Sequence, residues 1–170
     1  VRALALQPDG KIVIGGQQSL SSSAVAVVRL NANGSLDTSF DPGRGPRGNS
    51  NVALGLIFSV GLQADGNLLI GGIFDHVDNV PRNNIARLNP DGSLDSNFAT
   101  DIGLDPVRGG SVSSLIEQSD GKILVGGRFQ TVNGITQNSL ARLDTNGNLD
   151  TGALCFPIKA ANGNLVVICL

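Results

Sequence analysis

The sequence contains no tryptophan, tyrosine or methionine, a single histidine and two cysteines. Each shortage removes a class of function. With His76 as the lone imidazole, neither a histidine-rich metal centre nor a triad of nucleophile, base and orienting acid can recur along the chain. Without Trp or Tyr, the platforms on which sugar sites commonly stack a ring are missing, and the 6 phenylalanines are the whole aromatic complement. Charge is sparse and balanced, 12 basic against 14 acidic residues for a net of −2, so there is no field for a phosphate backbone or an anionic bilayer. Nucleic acid is therefore not an expected partner. No apolar run approaches the roughly 18 residues of a membrane span, and no signal peptide is visible.

What the sequence has instead is glycine, 23 of 170 residues, placed with a period. Asp9-Gly10 precedes Gly15-Gly16, Asp65-Gly66 precedes Gly71-Gly72, and Asp120-Gly121 precedes Gly126-Gly127. Gly10 to Gly66 is 56 residues and Gly66 to Gly121 is 55. A second phrase recurs between these, from Arg29 to Asp37 around Gly34, from Arg87 to Asp95 around Gly92, and from Arg142 to Asp150 around Gly147. A period of this length belongs to repeat folds in which one unit cannot bury its own apolar faces and needs neighbours.

Both phrases have the grammar of a β-hairpin. In Gln7-Pro8-Asp9-Gly10-Lys11, Pro suits the first central position of a type I turn and Gly the left-handed position after it, which closes a three-residue loop. Leu6 then opposes Ile12 and Leu4 opposes Ile14. The same arithmetic puts Leu30 opposite Leu36 and Arg29 opposite Asp37, with Arg87 opposite Asp95 and Arg142 opposite Asp150. Such opposition is the ordinary use of a cross-strand ion pair; a ring of functional carboxylates is the competing reading. Each unit thus reads as four strands, in the first unit at 2–7, 11–15, 25–31 and 35–40, with the extra length in loops at 41–50 and 101–110. Four-stranded units arranged radially are propeller blades. The expected division is 1–50, 51–110 and 111–151 for three blades, and 152–170 for the hairpin of an incomplete fourth. A β-trefoil, which also uses three four-stranded units, is the alternative. A chain that begins and ends within repeat text is expected to be a segment of a longer polypeptide.

The wording from Gln118 to Phe129, with Val132-Asn133-Gly134 and then Ala141 to Asp150, resembles the bacterial delta-60 repeat family, as do Gln63 to Phe74 and Ala86 to Phe98. The resemblance implies propeller-type repeats in large secreted or surface proteins. The double glycines are also similar to kelch blades, but the Trp and Tyr of that pattern are absent, so no kelch-type function follows.

In the terminal hairpin around Gly163, Cys155 falls opposite Cys169 at a non-hydrogen-bonded pair, where facing side chains lie closest. The pair is either a cystine, which would place the chain in an oxidising compartment, or two small buried thiols. The local concentration of chemistry-bearing residues is Asp75, His76 and Asp78, with Asp101 and Asp105 further on. Two carboxylates and an imidazole could hold a cation, but the equivalent loop of the third unit, Gln130 to Asn133, has none of those ligands, so a solvated loop is the competing reading. The Asp-Gly turns lack the spaced oxygens and terminal Glu of an EF-hand. Phe40, Phe74, Phe98 and Phe129 recur at unit positions and read as core wedges. The sequence therefore predicts a non-catalytic extracellular or cell-surface scaffold without cofactor or metal. Its partners would be protein or glycan, or further copies that complete an open propeller; a polymer subunit and a hydrolase over the propeller channel are the competing classes.

Overall fold

A computed structural model describes residues 1–17, 26–48, 55–98, 100–103 and 110–152, and the backbone of 155–159 and 165–169. Every regular element among them is a strand. Each repeat builds one three-stranded antiparallel sheet: β1 (Ala3–Leu6), β2 (Ile12–Gly15) and β3 (Val27–Leu30); β5 (Leu56–Leu62), β6 (Leu68–Ile73) and β9 (Ile85–Leu88); β11 (Ser111–Glu117), β12 (Ile123–Arg128) and β15 (Leu140–Leu143). The second strand is central in each.

The turns set the register. The Gln7 N–H donates to the Lys11 carbonyl at 2.8 Å and the Gly10 N–H to the Gln7 carbonyl at 2.9 Å. Gly10 sits at φ 83°, where a Cβ would crowd the carbonyl. Leu6 consequently pairs with Ile12 and Leu4 with Ile14. Gly34, Gly66, Gly92, Gly121 and Gly147 share this left-handed conformation, with φ between 79° and 96°. Gly163 lies outside the described residues, as does Asp105.

The expected fourth strand is not a strand but one bridge per repeat: Leu30 with Leu36, Leu88 with Leu94, Leu143 with Leu149. Its ladder stops because the next residue turns the chain. Asp37 Oδ1 accepts from the Ser39 N–H at 3.0 Å and hydroxyl at 2.6 Å, a local bond that competes with sheet pairing. Asp95 and Asp150 make the same turn with the amides of Asn97 and Gly152, each at 2.9 Å.

The regions expected to be loops also carry strands. β4 (Pro46–Arg47) pairs with β7 (His76–Val77), itself paired with β8 (Val80–Pro81), and β10 (Ile102–Gly103) joins β13 (Thr131–Val132) and β14 (Ile135–Thr136) in the same way. Each small sheet therefore ties the end of one repeat to a hairpin of the next. Pro46 is tolerated because β4 is an edge strand. At the C-terminal end, β16 (Cys155–Lys159) and β17 (Leu165–Cys169) form a hairpin whose register sets Cys155 opposite Cys169.

Successive sheets stack face to face, β5 against β1 and β2, and β11 against β5 and β6. Among the described residues the core forms two clusters, and the middle sheet feeds both. Leu69 and Ile85 enter the cluster shared with the third repeat, while Leu68, Ile70, Ala86 and Leu88 enter the one shared with the first. Alternation along a strand covered on both faces produces this division, and Leu68 to Ile70 are all fully buried.

The double glycines set the spacing between sheets. A Cβ at Gly15 would lie 2.6 Å from Ile57 Cγ2, and one at Gly71 would lie 2.5 Å from Val112 Cγ1, so the first glycine is a notch filled by the following repeat. The second lies against a bulge. The ladder register shifts between Ile57 and Ser59 and between Val112 and Ser114, and a Cβ at Gly72 or Gly127 would run into the carbonyl of Leu56 or Ser111.

Candidate functional site

The recurring charged residues converge on each other and on the next repeat. Arg29 Nε donates to Asp37 Oδ2 at 2.7 Å, Arg87 Nε to Asp95 Oδ2 at 2.7 Å, and Arg142 Nε to Asp150 Oδ2 at 2.9 Å. The first two arginines do more. Arg29 Nη1 reaches the Pro90 carbonyl and Arg87 Nη1 the Thr145 carbonyl, each at 2.6 Å and each in the second turn of the following repeat. Their guanidinium carbons lie 4.7 Å and 4.8 Å from the ring centroids of Phe40 and Phe98. Those rings are buried, as are Phe74 and Phe129.

Lysines add a third member to the outer two pairs. Lys11 Nζ lies 3.0 Å from Asp37 and Lys122 Nζ 2.9 Å from Asp150, whereas the middle repeat has Asn67 at that position. Bonds from Ser39 and Lys11, then Arg29, hold the Asp37 carboxyl well below the usual carboxylate range. Lys122 and the Gly152 amide, with Arg142, bring Asp150 down to about 2. At Asp95 burial pushes the pKa up, but the Asn97 amide and Arg87 together lower it on balance. These carboxylates are ionised anions neutralised in place, poorly suited to carry a proton between pH 5 and 8.

The acidic and histidine residues singled out by sequence make separate contacts rather than one cluster among the described residues. His76 Nδ1 and Asp75 Oδ1 are 2.7 Å apart. Asp78, at φ 46°, turns its carboxylate to the Arg44 N–H at 3.0 Å. Asp101 accepts from Asn83 Nδ2 at 2.9 Å, and its own N–H donates to Asn133 Oδ1 at 2.7 Å. Among the described residues no three His, Cys, Asp or Glu side chains converge as metal ligands.

Sequence reasoning missed a cleft at the first-turn end of the stacked sheets. It has a volume of about 350 Å³ and is lined by Gln7, Pro8, Leu62, Gln63 and Glu117, among others. Glu117 spans the boundary between repeats, accepting from Gln63 Nε2 at 2.9 Å and from the Ala64 N–H at 3.0 Å. The Oε1 atoms of Gln7 and Gln63 are buried and find no hydrogen-bond partner among the described residues. A buried acceptor left unpaired costs about 1–3 kcal/mol. The signal was present in the recurrence of Gln before each turn, but only stacking shows that Gln63 and Glu117 meet.

Two comparisons bear on this arrangement. A family model described as "Domain of unknown function (DUF5122) beta-propeller" matches residues 7–40, 63–98 and 118–152, one copy per three-stranded sheet. A search of curated proteins finds no match.

Proposed function

The chain belongs to the DUF5122 β-propeller family, and from that premise we propose that it is a non-catalytic scaffold of extracellular or cell-surface proteins, engaging protein or glycan partners at the turn ends of its blades. The family supports propeller repeats; the delta-60 wording and the bacterial surface setting belong to this proposal, as does a cystine between Cys155 and Cys169. The observation that carries it is the cleft. Its lining sets the Gln7 and Gln63 side chains and the Glu117 carboxylate beside the apolar Pro8 and Leu62, a mixed surface suited to a ligand that offers both apolar area and hydroxyl or amide donors. The charged residues that recur in every blade support the non-catalytic part, because each Arg and Asp of the set is consumed in an internal ion pair.

The test is an NMR titration of the ¹⁵N-labelled chain with neutral oligosaccharides and with extended peptides. Saturable shifts centred on the amides of Gln7, Gln63, Ala64 and Glu117, lost in Gln63→Leu, are expected. Shifts confined to other faces, or none with either ligand class, would remove the cleft as the binding seat.

A further inference from the structure

The second turns of the three repeats share one backbone template and differ in what surrounds a side-chain amide. Asn-Gly dipeptides stand at Asn33-Gly34, Asn133-Gly134, Asn146-Gly147 and Asn162-Gly163, the last outside the described residues. At such a dipeptide the glycine nitrogen has no side chain beside it to shield its approach to the asparagine Cγ. The hydrogen bonds on the Asn side chain therefore decide whether that approach leads to reaction. In the first repeat the carbonyl oxygen is polarised. Asn33 Oδ1 accepts from the Ser35 N–H at 3.0 Å and from the Ser35 hydroxyl at 2.7 Å. Asn31 Nδ2 donates to Ser35 Oγ at 3.0 Å, which leaves the hydroxyl hydrogen for Asn33. Two fixed donors on one carbonyl oxygen are the arrangement that stabilises an oxyanion developing there.

The other two repeats supply the comparison. In the second, Asp91 already stands at this position, and its Oδ1 accepts from the Ser93 N–H at 2.9 Å and hydroxyl at 2.7 Å, with Asn89 Nδ2 on Ser93 Oγ at 2.9 Å. In the third, the donors are diverted. Asn148 replaces the serine, and its N–H and Nδ2 go to Asp144 at 2.8 Å and 3.0 Å, as does the Asn146 N–H at 2.8 Å. The Gly147 carbonyl is held as well, by Thr100 Oγ1 at 2.7 Å and Asn133 Nδ2 at 3.3 Å. Asn133 is in turn committed at both ends of its amide, because its Oδ1 accepts from the Asp101 N–H at 2.7 Å. One restraint is common: the Gly34 N–H is bonded to the Asn31 carbonyl at 2.8 Å and the Gly147 N–H to the Asp144 carbonyl at 3.1 Å, so it does not rank the sites.

We propose that Asn33 is a self-modification site, converted by the chain itself to aspartate and isoaspartate. The Gly34 nitrogen gives its proton to hydroxide and bonds to Asn33 Cγ, the Cγ–Nδ2 bond breaks, and ammonia leaves a closed succinimide ring. Water then opens the ring at either carbonyl, with no change of oxidation state. The aspartate product keeps both Ser35 bonds, as Asp91 keeps those of Ser93. The isoaspartate product adds a carbon to the backbone inside the Leu30–Leu36 bridge, and so disturbs the register that sets Arg29 on Asp37. Both products add a negative charge to a turn whose Ala32 packs against Gly10, next to the Pro8 rim of the cleft. The step does not depend on what the cleft binds.

The test is peptide mapping by mass spectrometry of the whole chain, aged in the folded state at neutral and mildly alkaline pH and, in parallel, in concentrated urea. In the folded chain Asn33 is expected to convert several-fold faster than Asn133 or Asn146, with ammonia released and the rate rising with pH. In urea, where the local dipeptide alone acts, the three rates should converge. Ser35→Ala should slow Asn33 several-fold and Ser35→Thr should keep its rate, while unchanged rates at Asn133 and Asn146 report that each variant is folded. The comparison of folded and unfolded wild type stands even if a variant fails to fold. Equal rates at the three sites in the folded chain would overturn the proposal. So would a preference for Asn33 that persists undiminished in urea, or one that a folded Ser35→Ala chain retains in full.

Discussion

At the scale of single residues, the same ion pair is worth different amounts in different blades. Arg87 is nearly buried, bonded to Asp95 and the Thr145 carbonyl and stacked on Phe98. Among the described residues, Arg142 keeps the in-blade pair and a long bond to Gly152. Replacing one partner of a buried pair leaves an uncompensated charge and costs about 3–5 kcal/mol, whereas a more exposed pair contributes up to about 1 kcal/mol. Arg87→Ala is therefore expected to lower the urea midpoint several times more than Arg142→Ala; equal losses would show that the cross-blade bond and ring contact contribute nothing. Acid should act through the depressed carboxylates. Because the folded pKa of Asp150 is about 2, below the usual carboxylate value, its contribution is complete above pH 4 and is lost as pH falls toward 2. Urea midpoints should be flat from pH 7 to 5 and fall between pH 4 and 2, and the fall should be smaller in Asp150→Asn. The opposition of Arg and Asp was legible because a three-residue turn fixes which side chains face each other. The reach of Arg29 to Pro90 was not, since 61 residues separate them and only stacking brings them within 2.6 Å.

At the scale of elements, the glycine pairs separate local from interblade demands. A methyl at Gly71 would sit 2.5 Å from Val112 Cγ1, whereas one at Gly126 would meet, among the described residues, only Ser114 Cβ at 3.8 Å. Overpacking typically costs about 1–3 kcal/mol, so Gly71→Ala should destabilise by that order while Gly126→Ala is near neutral. Chemical denaturation of the two variants decides the matter, and equal costs would remove the notch as the reason for the first glycine. The expected fourth strand failed for a reason also written in the sequence. Asp and Ser two residues apart prefer an Asx-type turn to a ladder, and that preference ends the pairing at one bridge. The small sheets were hidden because two-residue strands such as Pro46–Arg47 carry no periodic signal.

At the scale of the whole molecule, stability is nearest-neighbour in kind. Among the described residues, the middle blade is the one that belongs to both core clusters, with β6 at its centre. Amides of β6 should exchange most slowly with solvent and those of β1 fastest among the sheet strands. Ile70→Ala, fully buried, should cost about 2–5 kcal/mol. Exchange slowest in β1 or β12 would show that the sheets do not support one another as their packing implies.

The sequence by itself determined the repeat, the turn conformations, the hairpin registers and the all-β class, because these follow from steric rules acting over a few residues. The family match agrees with the propeller reading rather than the trefoil. Tertiary structure alone decided which side chains meet between repeats: the glycine notch and the side chain that fills it, the arginine bond to the next turn, and the cleft shared by Gln7, Gln63 and Glu117. Those contacts join residues more than 40 positions apart in sequence, where spacing carries no geometric information until the sheets have stacked and brought them together.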